Sequence, residues 1–287
     1  MKLNHFVCLS SLSLLLACAS ENDQSNQEVV IEENSEPTMN EIAEANPSYW
    51  GYIDYLWARN GENFTQEKFS AYVQDWRIEA DATDVAYTSF GYVPIEPDER
   101  FDGVWAVSWK SKALRDQAWE QWLSKGSAER LAEKYEDIIT LGGENYEDVY
   151  GFYAFRPREM SNPWVSQTGP DQAPYNVDIR FCNFNENMGF DDLRDVINSD
   201  FYPWLDNYEL SNPDDSYNFS IEVPTREDAT FDYLWKNIHK TAEQADRGNA
   251  AWIESGLDIQ GKFDSVSTCE PSNGFSRFAG YMIKEEA

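Results

Sequence analysis

The chain reads twice, and this duplication constrains its fold more than any other feature of the sequence. Gly61-Glu62-Asn63-Phe64 and Asn185-Glu186-Asn187-Met188 each open a helical pattern. Val93-Pro94 returns as Val223-Pro224, and Trp109-Lys110 returns as Trp235-Lys236 at nearly the same offset. Trp122 with Gly126 is matched by Trp252 with Gly256, and Lys134-Tyr135-Glu136 by Lys262-Phe263-Asp264. Five anchors in one order, at offsets that drift only slightly, mark an internal repeat. The copies occupy residues 47–160 and 175–287, joined by a Pro-rich linker over 161–174.

Each copy predicts the same elements. Strands are expected over 49–58, 85–93, 103–109 and 149–155, with helices over 65–80 and 112–134. The second copy carries strands near 176–184, 217–223, 230–235 and 276–283, and helices near 191–207 and 238–252. Phe69, Tyr72, Val73 and Trp76, then Leu114, Ala118 and Trp122, recur at three and four residues, the period of a half-buried helix. Strand-helix-strand-strand-helix-strand is the ferredoxin-like βαββαβ unit. In this order and duplication the chain resembles a single-chain member of the dimeric α+β barrel superfamily. The resemblance implies an α+β fold of two tandem ferredoxin-like repeats, packed sheet to sheet as an intrachain pseudo-dimer. Two units side by side, or an unrelated α+β fold, are the rivals. In a ferredoxin-like sheet the first and last strands are antiparallel neighbours, so this fold brings Cys182 near Cys269 and implies a disulfide between them.

Strand alternation nominates a site. Ile53, Tyr55 and Trp57 share one face of the first strand and Asp54 the other; Val177, Ile179 and Phe181 repeat the pattern against Asp178 and Arg180. Trp105, Val107 and Trp109 align with Phe231, Tyr233 and Trp235, and Ala106 with Asp232. If the fully apolar faces meet the helices, Asp54, Asp178, Arg180 and Asp232 point between the sheets. They then form either a structural charge network or the polar floor of an aromatic cleft, where a carboxylate of raised pKa serves as general base. His239, expected at the start of a helix, is a surface residue or a further ligand or proton-transfer group.

The N-terminus carries its own signal. Lys2 and the apolar run 6–17 form a secretory signal peptide over 1–17, too short to span a bilayer at ~20 residues. Leu15-Leu16-Ala17-Cys18 resembles the bacterial lipobox, which implies cleavage before Cys18 and its acylation, and so a lipid bilayer as partner. Ala19 in place of aspartate implies sorting to the outer membrane, facing the periplasm or displayed on the cell surface. Residues 18–46, acidic and almost without apolar side chains, are expected to be a disordered tether.

Composition narrows the function. A formal net charge of −30 argues against a nucleic-acid partner, since phosphate contacts depend on Lys and Arg; it suits a solvated surface or the attraction of cationic ligands. Only His239 remains once the signal segment is removed, and no Cys-x-x-Cys pair occurs, so no metal site and no bound cofactor are expected. No phosphate-binding glycine loop, Gly-x-Ser-x-Gly elbow or His-Glu-x-x-His is present. The leading expectation is a non-catalytic envelope lipoprotein that binds a small molecule or an envelope protein. A cofactor-independent monooxygenase or isomerase of the dimeric α+β barrel type is the second, and a purely structural role the third.

Overall fold

The computed structural model describes residues 39–142, 149–158, 174–270 and 277–284. The signal segment 1–17, Cys18, the tether to residue 38 and the linker over 161–173 lie outside the described residues. The last part of the expected tether is ordered: α1 (Met39–Glu44) buries Ala43 against Tyr52 and Tyr153. Among the described residues no helix is long and apolar enough to cross a membrane.

The first half contains β1 (Tyr49–Asn60), α2 (Gln66–Asp81), β2 (Thr88–Pro94), β3 (Gly103–Trp109), α3 (Lys112–Ser124), α4 (Ser127–Tyr135), β4 (Ile139–Leu141) and β5 (Tyr150–Phe155). The second contains β6 (Tyr175–Phe184), α5 (Phe190–Val196), α6 (Tyr202–Ser211), β7 (Tyr217–Pro224), β8 (Tyr233–His239), α7 (Ala242–Ser255), α8 (Leu257–Val266), β9 (Ser267–Cys269) and β10 (Arg277–Lys284). A π-helical turn, Ile197–Phe201, joins α5 to α6.

Local chemistry sets the helix ends. The side chains of Thr65, Ser111 and Thr241 accept from the N–H groups of Lys68, Leu114 and Gln244, capping α2, α3 and α7. The helix expected over 112–134 is broken at Gly126, whose φ of +65° is a left-handed conformation that glycine adopts without a Cβ clash. The helix expected from Ile238 starts later: β8 continues through His239, and Thr241 caps α7.

All main strand pairings are antiparallel. The order β10-β2-β3-β1-β5-β7-β8-β6 closes on itself through β6–β10, giving an eight-strand barrel. Within each group of four, the first strand in sequence lies between the third and fourth: β2-β3-β1-β5, then β7-β8-β6-β10. The groups join edge to edge, through β5–β7 and β2–β10, so that their inner faces meet inside one closed barrel and not as two separate stacked sheets. The short β4 and β9 flank β1 and β6, and in the β6–β9 register Cys182 sits opposite Cys269 and is disulfide-bonded to it.

Closure buries both faces of the sheet. Ile53, Tyr55, Phe90, Tyr92, Phe152 and Val177 belong to the cluster filling the barrel. Leu56, Trp105, Val107 and Trp109 pack outward against α2, α3 and α4, and Phe219, Ile221 and Tyr233 pack against the helices of the second half. One ionic group crosses the interior. Glu222, fully buried, pairs with Lys236 and accepts from the hydroxyls of Tyr55 at 2.7 Å and Ser220 at 2.9 Å. Lys236 also donates to Tyr55 at 2.8 Å. A buried charge pair survives only with its remaining polar atoms satisfied, and here Tyr55 of the first half completes a pair belonging to the second.

Candidate functional site

The structure does not bring the sequence-nominated residues together. Asp54 points away from the barrel interior, toward α3. Its Oδ2 accepts from Arg115 Nε and from the indole N–H of Trp119, each at 2.7 Å, while Oδ1 has no partner among the described residues. Asp178 and Arg180 also face the helix side, in the other half, 3.4 Å apart and only partly buried. Asp232 precedes β8, exposed, and its carboxylate accepts the N–H of Phe184 at 2.7 Å.

The parity expected for β1 and β6 is therefore inverted: Ile53, Tyr55, Val177 and Ile179 fill the barrel, and the aspartates lie under helices. For β3 the expectation holds, with Trp105, Val107 and Trp109 toward helices and Ala106 inside. In the aligned β8 segment Tyr233 and Trp235 face the helices, but Phe231 packs on the interior cluster. A strand buried on both faces has no polar side to mark its outside, so alternation alone does not say which face is which.

His239 ends β8 half-buried against the ring of Tyr217, with centroids 4.9 Å apart. Burial pulls its imidazole down to about 4, against a smaller opposing pull from Asp215. It lines a cavity of about 170 Å³ between the second half's sheet and helices, together with Arg180, Trp235 and Trp252.

The larger space is its counterpart in the first half, a cavity of about 760 Å³ between the sheet and α2, α3 and α4. Trp105 and Trp109 form its floor, and Trp76, Trp119 and Trp122 its sides. It exists because the helices present Ala80, Ala118, Ala128 and Ala132 to the sheet there. In the second half Phe201 and Phe263 project into the same gap, and Trp204 packs edge-on to Trp252 with centroids 4.8 Å apart. The tryptophans that match in sequence diverge accordingly. The indole N–H of Trp235 donates to Asn237 at 2.8 Å and its ring stacks on Phe219, whereas that of Trp109 has no partner among the described residues.

Asp54 adjoins this cavity. Its cross-strand neighbour Val107, its strand neighbour Leu56 and its hydrogen-bond donor Trp119 are all lining residues. Burial outweighs the pull of Arg115 and Trp119 and holds the Asp54 carboxyl above the ordinary carboxylate range.

Among the solved structures that resemble the chain are chlorite dismutases of Candidatus Nitrospira defluvii. A cyanide complex of one mutant is 12% identical over 82% of this chain and 91% of that one, with a TM-score of 0.49. An imidazole complex gives the same identity and coverage at 0.48, and a double mutant gives 0.46 over 92% of its own length. No protein-family model and no curated protein matches.

The leading expectation of a non-catalytic binding module is not kept, because the structures that the chain resembles are of chlorite dismutases and not of binding modules. Sequence reasoning missed Arg115 and Trp119, which meet Asp54 from a helix. Both lie on the α3 pattern at the period of Leu114, Ala118 and Trp122, but nothing local tied them to Asp54.

Proposed function

We propose that the chain is an enzyme of the dimeric α+β barrel type, a monooxygenase or isomerase working without a bound cofactor on a small, largely apolar substrate held in the first-half cavity. The observation that carries this reading is Asp54: a fully buried carboxyl of raised pKa, with one oxygen unpaired among the described residues and the other bonded to an indole of the cavity wall. A carboxylate out of water is a stronger base than one in it, and its pKa lies closer to neutrality, where proton transfer is most effective. Arg115 fixes the carboxylate and balances its charge. Turning the Trp119 ring aside exposes Asp54 to a carbon acid in the cavity. In an isomerase the abstracted proton returns at another carbon; in a monooxygenase the carbanion reacts with dioxygen to a hydroperoxide that loses water, leaving a carbonyl, with both hydrogens of the water drawn from the substrate's CH₂.

A panel of apolar cyclic ketones and hydroquinones, incubated with the protein in D₂O under air, tests this by NMR and oxygen uptake. C–H exchange or turnover is expected in the wild type, falling about 100-fold in Asp54→Asn. Equal rates in the two proteins would sink the reading.

The two four-strand groups are, in this reading, copies of one ferredoxin-like unit, the single-chain form of a pseudo-dimer. Their matching strand orders, and the sequence anchors that recur in the same succession, support it. The lipobox at Cys18 supports attachment of the domain to the outer membrane, facing the periplasm, through an acylated N-terminus. Mass spectrometry of the mature protein should find Cys18 as the first residue, bearing acyl chains; an unmodified or uncleaved N-terminus would refute the anchor.

A further inference from the structure

Among the described residues Arg156 has no counter-charge of its own, in a chain with 52 acidic residues against 22 basic ones. It follows directly on β5, whose inward residues are Phe152 and Ala154, and so continues that face at the mouth of the barrel. Its guanidinium carbon lies over the ring of Trp50, 3.6 Å from the centroid. Among the described residues its Nε has no hydrogen-bond partner, and no ion pair involves it. The phenols of Tyr92 and Tyr175 are close enough to act on its charge. The carboxylate that does so, Glu222, is already committed to Lys236, Tyr55 and Ser220. Burial lowers the guanidinium to about 10, which leaves it cationic at neutral pH. An unpaired cation withdrawn from water is costly, and an anion in contact with it relieves that cost.

We infer that Arg156, seated on Trp50 at the barrel mouth, binds a small planar carboxylate. Packing on Trp50 covers one side of the guanidinium, which leaves the N–H edge to meet the two oxygens of a carboxylate side by side. This site lies on the inward side of the sheet, whereas the tryptophan-walled cavity lies on its helix-covered side, so it stands independently of the proposed reaction.

Trifluoroacetate is a suitable probe, followed by fluorine NMR with the full chain in zwitterionic detergent at constant ionic strength. The wild type is expected to broaden and shift the signal saturably in the millimolar range. Arg156→Met should abolish saturation, and Arg156→Lys, which keeps the charge but loses the fork, should weaken it about tenfold. Arg156→Met is expected to fold at least as stably as the wild type, since it removes an unpaired charge; if it does not fold, the lysine variant carries the test alone. No saturable signal in the wild type, or the same affinity after either substitution, overturns the inference.

Discussion

Arg115, on α3, places its Nε 2.7 Å from Oδ2 of Asp54 on β1, across 61 residues of sequence. The pair joins a helix to a strand that is buried on both faces, and Trp119, on the next turn of α3, donates to the same oxygen. A charge in such a place is tolerated only while its partner stands beside it, and this gives the pair an asymmetric response to mutation.

Arg115→Met is expected to destabilise the fold by about 3 kcal/mol, because it leaves a carboxylate buried and unpaired. Asp54→Asn leaves an arginine that is partly exposed and able to reach water, so its cost should be about 1 kcal/mol. Urea unfolding of the two variants at neutral pH measures the difference; a larger cost for Asp54→Asn would contradict the arrangement.

Ala118→Phe fills the first-half cavity from α3. With a space of about 760 Å³ to receive the ring, stability should rise by about 1 kcal/mol while substrate turnover is lost. A drop in melting temperature would mean that the space is not open as described.

Inside the barrel, Lys236→Met strands Glu222 and should cost about 3–5 kcal/mol. Combining it with Glu222→Gln removes the stranded charge and keeps an acceptor for the hydroxyls of Tyr55 and Ser220. The double variant should therefore recover at least half of that loss, a coupling read from a double-mutant cycle. Additive costs would show that the two charges do not depend on one another.

His239 carries a pH signature. Its folded pKa, about 4, lies below the ordinary 6.5, so the unfolded chain binds the proton first. Its contribution is full above pH 6.5 and is lost as the pH falls toward 4, by up to about 3 kcal/mol. His239→Gln should flatten the decline in stability between about pH 7 and pH 4.5 relative to the wild type. Parallel declines in the two proteins would place the imidazole in water.

Much of the secondary structure is legible in the sequence because it rests on local rules: the spacing of Tyr72 and Trp76 and the alternation along β3. The misreadings have non-local causes. Tyr55 and Asp54 exchange faces because the barrel buries one side of β1 and helices bury the other, so both sides read as interior. His239 reads as helical because the apolar spacing from Ile238 onward fits a helix as well as a strand end, and only pairing with Asn176 and Tyr217 extends β8 to include it.

What the sequence determined by itself was most of the succession of strands and helices, a property of residues close together in the chain. What the tertiary structure decided was which edge meets which, and so where space is left. Trp109 and Trp235 hold matching places in sequence, yet one floors a cavity and the other is packed and hydrogen-bonded. The difference lies in the helix residues opposite, alanines in one half and aromatic rings in the other. Volume between layers is a property of both surfaces at once, so neither strand encodes it alone.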